Sequence, residues 1–361
     1  MGISSCTCLK NSEEGNYNTQ QGIDNDLSQS LTANIEQSRK TNLQRQIEYN
    51  SEDDKEEITM QCYETFRSKY PQETEVTKMT EQDYQTILND FPNIKSILNS
   101  RENFLSYKNP SSTEHNKDLI ELPPIKITNS SGNITEYYKG QANKEGERSG
   151  EGELLTSDGN YYKGGFSHNA FNGKGIFIND KGNVFEGNWE NGQSKGEGEY
   201  SLSSGHKYKG NFENNMKNGK GEEIYPDGTK YIGEFVNNEK HGKGELIFSG
   251  GDKYIGNFEN GAINGEGEFI GKDGRVSKGT FADGKLNGNA VTTFPDQSKY
   301  EGKYVNNLKN GQGTFSWNNG NKLNVKWVKN NPEGKGTINV GDKEMDVMYR
   351  FGKMISCKES T

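Results

Sequence analysis

One pattern returns at a period of about 23 residues through the second half of the chain. Tyr208-Lys-Gly210-Asn-Phe212 recurs as Tyr162-Lys-Gly164-Gly-Phe166, Phe185-Glu-Gly187-Asn-Trp189 and Tyr231-Ile-Gly233-Glu-Phe235. It continues as Tyr254-Ile-Gly256-Asn-Phe258, Ser277-Lys-Gly279-Thr-Phe281 and Tyr300-Glu-Gly302-Lys-Tyr304. Weaker copies begin at Tyr138 and Leu323, which makes nine, and a partial tenth runs from Val347 to Phe351. Most copies are followed by a Gly-x-Gly step such as Gly219/Gly221. A fixed short period means that each copy is one small unit, buried only by stacking on its neighbours. A compact layered enzyme core over this region is thereby excluded.

Within a unit the period is two. Tyr208, Gly210 and Phe212 fall on one face of a strand, with Lys209 and Asn211 on the other. Asn214-Asn215 supplies turn chemistry, a second strand follows from Gly219, and Asp227-Gly228 turns the chain into the next unit. Each unit is predicted to be a β-hairpin, and consecutive hairpins to pair into an elongated single-layer antiparallel sheet. At about 4.8 Å per strand, nine hairpins would extend on the order of 90 Å. Composition agrees with an unusual core. Hydrophobic residues make up only 28%, against roughly 45–50% in ordinary domains, while glycine reaches 45 residues. Glycine inside a strand marks close approach of another group. Here Gly164, Gly187, Gly210, Gly233, Gly256, Gly279 and Gly302 each stand between two same-face ladder positions. A ring is expected to lie across the backbone there, so that a ladder of aromatic rings replaces the missing aliphatic core.

This repeat resembles the MORN (membrane occupation and recognition nexus) family, to which Tyr231-Ile-Gly-Glu-Phe-Val-Asn-Asn-Glu-Lys-His-Gly-Lys-Gly is a close match. The resemblance covers about residues 138–351. Three departures are local: Ala142 lacks the second aromatic, Ser277 lacks the first, and Val325 replaces the first glycine. The resemblance implies a non-enzymatic array that binds proteins and anionic phospholipid.

Nothing in the residues themselves points to catalysis, a cofactor or a metal. Gly192-Gln-Ser194-Lys-Gly196 matches a hydrolase elbow, but it lies within a hairpin and most of it follows from the repeat. No phosphate loop and no His-Glu-x-x-His is present. His115, His168, His206 and His241 are scattered and read as solvated surface residues. Net charge is −8 over residues 1–130 and −1 over 131–361, which argues against nucleic acid as a partner. Two binding features remain. The ladder rings are expected either to form the core or to line a groove for an extended or helical peptide. Lys174, Lys195, Lys220, Lys243 and Lys335 recur by the Gly-x-Gly step and would offer a basic strip to lipid headgroups. Glu197 and Glu266 interrupt the strip, and solvated edge charges explain the same lysines.

The first residues, Met1-Gly2-Ile-Ser-Ser5-Cys6-Thr-Cys8, resemble an N-myristoylation site with neighbouring palmitoylation cysteines. Gly2, Cys6 and Cys8 are the expected lipidation sites, with Cys6 standing where the usual pattern has Ser or Thr. One myristoyl chain holds a membrane only marginally, so the cysteines matter. The organisation reads as an acylated tip at 1–10, a disordered linker at 11–57, short helices and linker at 58–130, and the array at 131–361. Ile58, Cys62 and Phe66 lie at helical spacing. Thr80 is placed to cap a helix bearing Tyr84, Ile87, Leu88 and Phe91, and Pro92 to start another bearing Ile94, Ile97, Leu98 and Leu105. These helices are expected to dock on the array or to bind a partner, and Pro123-Pro124 to mark the boundary before the sheet. No apolar run approaches the roughly 18 residues of a membrane span. Together these features predict a scaffold on the cytoplasmic face of a membrane, most naturally the plasma membrane. The alternatives are a cytoskeletal or axonemal component of radial-spoke type, and a regulatory subunit of a separate phosphoinositide kinase.

Overall fold

A computed structural model describes residues 75–100, 119–144 and 146–360. They form 22 antiparallel strands of an open sheet and two short helices. Gly2, Cys6, Cys8, the 11–57 linker, the Ile58–Phe66 segment, Leu105 and His115 lie outside the described residues.

The chain divides into two units, parting after Glu239. The first holds β1 (Glu75–Lys78), α1 (Glu81–Asn89), α2 (Pro92–Ser100), β2 (Ile120–Thr128), β3 (Ile134–Ala142), β4 (Arg148–Thr156), β5 (Tyr161–Ser167) and β6 (Ala170–Ile178). It continues through β7 (Val184–Glu190), β8 (Gln193–Ser201), β9 (Lys207–Glu213), β10 (Met216–Ile224) and β11 (Lys230–Val236). The second begins with β12 (Glu239–Ile247), β13 (Lys253–Glu259), β14 (Ala262–Ile270), β15 (Val276–Ala282) and β16 (Lys285–Thr293). It closes with β17 (Lys299–Val305), β18 (Leu308–Ser316), β19 (Lys322–Val328), β20 (Asn331–Val340), β21 (Lys343–Arg350) and β22 (Lys353–Glu359).

Each unit of the repeat is a hairpin, as its alternation requires. Its tight turn has two residues in left-handed backbone, for instance Asn214 at φ 49° and Asn215 at φ 66°. This is the primed geometry that matches strand twist and that asparagine tolerates. The second asparagine does more than turn the chain. Its Oδ1 accepts from a backbone N–H of the preceding hairpin, at 2.7 Å from Ser194 to Asn215, 2.7 Å from Lys217 to Asn238 and 2.6 Å from Leu286 to Asn307. The other connection is a three-residue loop, closed where Tyr225 N donates to Thr229 O at 2.9 Å and Gly228 adopts φ 85°. The first glycine of each Gly-x-Gly has its own reason: Gly219 stands at φ 91° in a bulge where the β9–β10 register shifts.

Two strands not anticipated precede the repeats. β1 pairs with β2, and β2 pairs with β3. Pro123 and Pro124 therefore do not bound the sheet but lie inside it, where the β2–β3 register shifts between Leu122 and Ile125. Proline has no N–H to lose from a ladder and is tolerated at such a bulge. The Pro124 carbonyl is used, accepting from Met79 N at 2.7 Å.

Candidate functional site

The ladder residues come together on one face of the sheet, with a geometry that explains both glycines. Tyr208, Tyr231, Tyr254 and Tyr300 are fully buried, and Tyr162, Phe185, Phe235 and Phe281 nearly so. Each tyrosine folds over its own strand to donate to a carbonyl three residues on. Tyr208 Oη reaches Asn211 O at 3.0 Å, Tyr231 reaches Glu234 O at 3.0 Å and Tyr162 reaches Gly165 O at 2.9 Å. A Cβ on Gly210 would lie 2.5 Å from that hydroxyl, and one on the cross-strand Gly221 would lie 2.5 Å from ring atom Cε2. The ring occupies the space that both side chains would need. Successive ladder rings meet edge to face, while Tyr162 also stacks flat on Phe171 at 3.6 Å. Tyr208 contacts Phe212 and Phe235, each at 5.1 Å between centroids with planes at 88° and 87°. Tyr254 does the same with Phe258 and Phe281, and Tyr300 with Tyr304 and Trp327. Trp189 is held between Tyr162 and Phe185. Burial pushes the Tyr208 and Tyr300 phenols well up, and Tyr254 to about 12 from 10.0. The ladder is thus the core, and its tyrosine rings are not presented to solvent.

The opposite face carries the surface that is built differently from one place to another. Leu155, Tyr161, Ile176, Ile178 and Val184 form an apolar seat on β4–β7, and Tyr84, Leu88 and Ile94 of α1 and α2 are buried in it. Thr80 caps α1 in a capping box with Asp83, and Lys139 pairs with Glu81 at 2.9 Å beside the seat. The two helices therefore dock within their own unit. Later repeats close the seat with charge. At the position of Tyr161 stand Lys230 and Lys253, and at that of Ile176 stand Glu222 and Glu245. These form ion pairs, Lys230–Glu222 at 2.8 Å and Lys253–Glu245 at 2.7 Å. This contrast between apolar and ion-paired copies is written in the sequence, at positions that the repeat leaves variable.

A buried polar cluster interrupts the ladder of the first unit. Glu223 takes a place held elsewhere by Leu154, Phe177 or Leu246, and it accepts from Lys217 at 2.8 Å and from the Tyr225 hydroxyl. His206 Nε2 lies 3.2 Å from the same carboxylate, with its ring stacked on Tyr225 at 5.0 Å. His206 is 1% exposed, which corrects its reading as a surface residue. It is drawn inward because it stands just before β9, two residues ahead of Tyr208 and so on the ladder face. His168 and His241 are exposed.

Lys174, Lys220 and Lys243 are exposed at matching positions, each the middle of a Gly-x-Gly, in register with Asn188, Glu234 and Asn257. Lys195 does not share that position, standing two residues earlier and pairing with Glu190. Ser194 is buried within β8, its N–H bonded to Asn215. Ser277, which lacks a ring, hydrogen-bonds Thr292 at 3.0 Å, and Thr292 contacts the Tyr304 hydroxyl at 2.7 Å, so a polar chain fills the missing volume. Among the described residues no group of carboxylates, histidines and cysteines could hold a metal.

Compared with known proteins, the chain matches the family model described as MORN repeat at 162–184, 185–207, 208–230, 231–253, 254–274, 278–299 and 300–322. No curated protein sequence matches it. Among solved structures it is similar to the SAS-4 (dCPAP) TCP domain of Drosophila melanogaster, solved in complex with a proline-rich motif of Ana2 (dSTIL). Identity there is 15% and the TM-score 0.30, covering 50% of this chain and 90% of that one. It is also similar to the TCP10 domain of Danio rerio CPAP, at 11% identity and a TM-score of 0.20, covering 67% and 99%.

Proposed function

The chain is a MORN-repeat protein, its residues 162–322 forming seven consecutive repeats, and from this premise we propose that it works without catalysis, as a scaffold that holds protein partners at the cytoplasmic face of a membrane. The observation that carries the reading is the division of labour between the two faces of the sheet. One face is consumed by the ring ladder as core, while the other seats a helix pair at β4–β7 and elsewhere stays solvated and charged. A protein built this way has an outer surface to offer. Partners would meet this outer face and the strand edges rather than the rings.

The membrane part of the proposal rests on Gly2, Cys6 and Cys8. Two acyl chains hold where one does not. Lys174, Lys220 and Lys243 would add a salt-sensitive attraction to anionic phospholipid, screened within about 10 Å at 0.1 M salt. Fractionating cells that express the wild type and a Gly2→Ala, Cys6→Ser, Cys8→Ser variant tests this. The wild type is expected in the membrane fraction at high salt and the variant in the soluble one. A variant that stays with membranes at low salt only would assign attachment to the strand lysines. Unchanged attachment at high salt would overturn the acyl tether.

A further inference from the structure

The outer face of the second unit changes character at β16. Before it, lysines on that face lean on carboxylates, Lys253 on Glu245 at 2.7 Å and Lys278 on Glu268 at 3.2 Å. In the copies that follow, the place of Glu245 and Glu268 is taken by Val291, Thr314 and Thr337. Lysine persists without them, as Lys299 and Lys322 at the position of Lys253. Two more lysines are added, Lys303 and Lys326, where earlier copies have Asn257 and Thr280. These four and Lys335 are exposed, and among the described residues no hydrogen bond or ion pair reaches any of them. The acidic residues of β17–β20 are Glu301, exposed between Lys299 and Lys303, and Glu333, which accepts from Phe351 N at 2.8 Å. Carboxylates lost and lysines gained in the same strands leave a net positive block, at a cost in self-repulsion that the earlier copies avoid.

Register sets the lysines in two rows. Lys299 and Lys322 both face Ser316, one from each side. Lys326 faces Gln312, and Lys303 stands beside the adjacent Gly311. Lysines in a row are thus two strands apart, about 10 Å, and the rows are about 13 Å apart along the strands. A single small anion cannot bridge such distances, whereas an extended acidic chain can. Ser316, Gln312, Asn324 and Asn339 stand among the lysines on the same face, with donors and acceptors that suit a peptide backbone. Apart from Val328, no large apolar side chain of these strands is exposed, so the face offers no aromatic or apolar anchor for lipid and no ring for nucleic-acid bases to stack on.

We propose that the outer face of β17–β20 binds an acidic peptide segment of a partner protein, laid along the array over the two lysine rows. This gives a partner chemistry to the scaffold reading above and rests on it. Carboxylates of the segment would take the places that Val291 and Thr314 leave without charge beside Lys299 and Lys322, and would reach Lys303 and Lys326 in the second row. The contact would be electrostatic and salt-sensitive, since both sides are exposed before they meet.

Fluorescence anisotropy of a labelled alternating Glu-Ser peptide, titrated with the full chain at low salt, tests the proposal. Saturable binding is expected, and Lys303→Glu with Lys326→Glu should weaken it tenfold or more. Val291→Glu with Thr314→Glu restores the carboxylates of earlier copies and should weaken it about fivefold, with the melting temperature unchanged. The same charge change at Lys209 and Lys253, which are already ion-paired, should leave binding within twofold. Absence of binding overturns the proposal, as does binding that the Lys209 and Lys253 changes weaken equally. So does a loss seen with phosphatidylserine vesicles and not with the peptide, which would make the face a lipid one. The Gly2→Ala, Cys6→Ser, Cys8→Ser variant should bind the peptide as the wild type does, so that failure of the membrane tether and failure of this site show separately.

Discussion

Tyrosine, glycine and a carbonyl three residues on form the smallest working part of the molecule. The ring can bond that carbonyl only by crossing the intervening residue, so the intervening residue has no room for a Cβ. At Gly302 a Cβ would lie 2.6 Å from Tyr300 Oη and 2.7 Å from the Cα of Gly313. Gly302→Val should therefore cost about 3 kcal/mol or more, as forced overpacking does. Glu301→Val, one residue away on the solvated face, should change stability by about 0.5 kcal/mol or less. Equal shifts in thermal unfolding would refute the geometry. The same burial sets an alkaline limit. A phenol that ionises near 10.0 in the unfolded chain and near 12 at Tyr254 leaves the native state binding more protons between those values. Stability is then fully present below about pH 10 and falls as pH rises toward 12. Melting temperatures taken across that range, with tyrosinate absorbance as the second readout, check the sign. The Glu223 cluster makes a third residue-scale case. Glu223→Ala leaves Lys217 buried without its carboxylate and should cost about 3–5 kcal/mol. Lys217→Ile with Glu223→Leu borrows the apolar residues that later repeats use at Ile263 and Leu246, and should recover most of that loss in denaturant titrations. The ring-over-glycine idea was legible in the sequence because Gly210 recurs between aromatics at a fixed offset. The buried His206 was not, because one histidine shows no period and the carboxylate it faces, Glu223, stands beyond the whole of β9, on β10.

At the scale of elements, hairpins and helices differ in how openly they were written. Turn asparagines and alternating rings announced the hairpins. Thr80 and Pro92 announced α1 and α2, yet neither residue says where a helix will sit. That information lay in the seat, in the change from Leu155, Tyr161 and Ile176 to the Lys and Glu of later copies. Strands β1 and β2 went unseen because Glu-Val-Thr-Lys is short and Pro123-Pro124 reads as a break. Once paired with β3, a proline bulge costs the ladder nothing. The docked helices give a clean contrast. Leu88→Ala removes buried methyls from the seat and should cost about 2–4 kcal/mol. The Tyr84 hydroxyl is buried and finds no hydrogen-bond partner among the described residues. Tyr84→Phe should accordingly stabilise the helix pair by about 1 kcal/mol, since an unpaired buried hydroxyl is a cost with no return. Hydrogen exchange would show the first change loosening residues 80–100 while the ladder strands stay protected, and the second tightening the same segment. A Tyr84→Phe variant that exchanges faster there would mean that the hydroxyl has a role this packing does not reveal.

For the whole molecule the governing quantity is the period itself. Within each of the two units a hairpin bonds its neighbours through the strand ladder, and in several copies also through a turn asparagine that reaches back to the preceding hairpin, as Asn215 and Asn307 do. Among the described residues a hairpin is bonded to its sequence neighbours, so the chain should tolerate loss of one complete unit and fail on loss of a nearly complete one. The segment 277–299 is the informative choice, being the copy in which Ser277, Ala290 and Thr292 replace a ring, a glycine and an apolar residue. Excising it joins Val276 to Tyr300. Phe269, which faces Ser277 in the native register, would then face Tyr300, and Gly267 would face Gly302 rather than Gly279. Every downstream side chain keeps its face. Excising 277–298 instead stops one position short of a full period, and the odd slip sends each downstream ring to the solvated side. The first deletion should keep the circular-dichroism signal per residue and melt within a few degrees of the wild type, because the junction it creates is more regular than the one it removes. The second should lose the cooperative transition of the strands that follow. If both deletions melted alike, the ladder would not be what sets the register, and the explanation of the fold from rings laid over glycine would have to be abandoned.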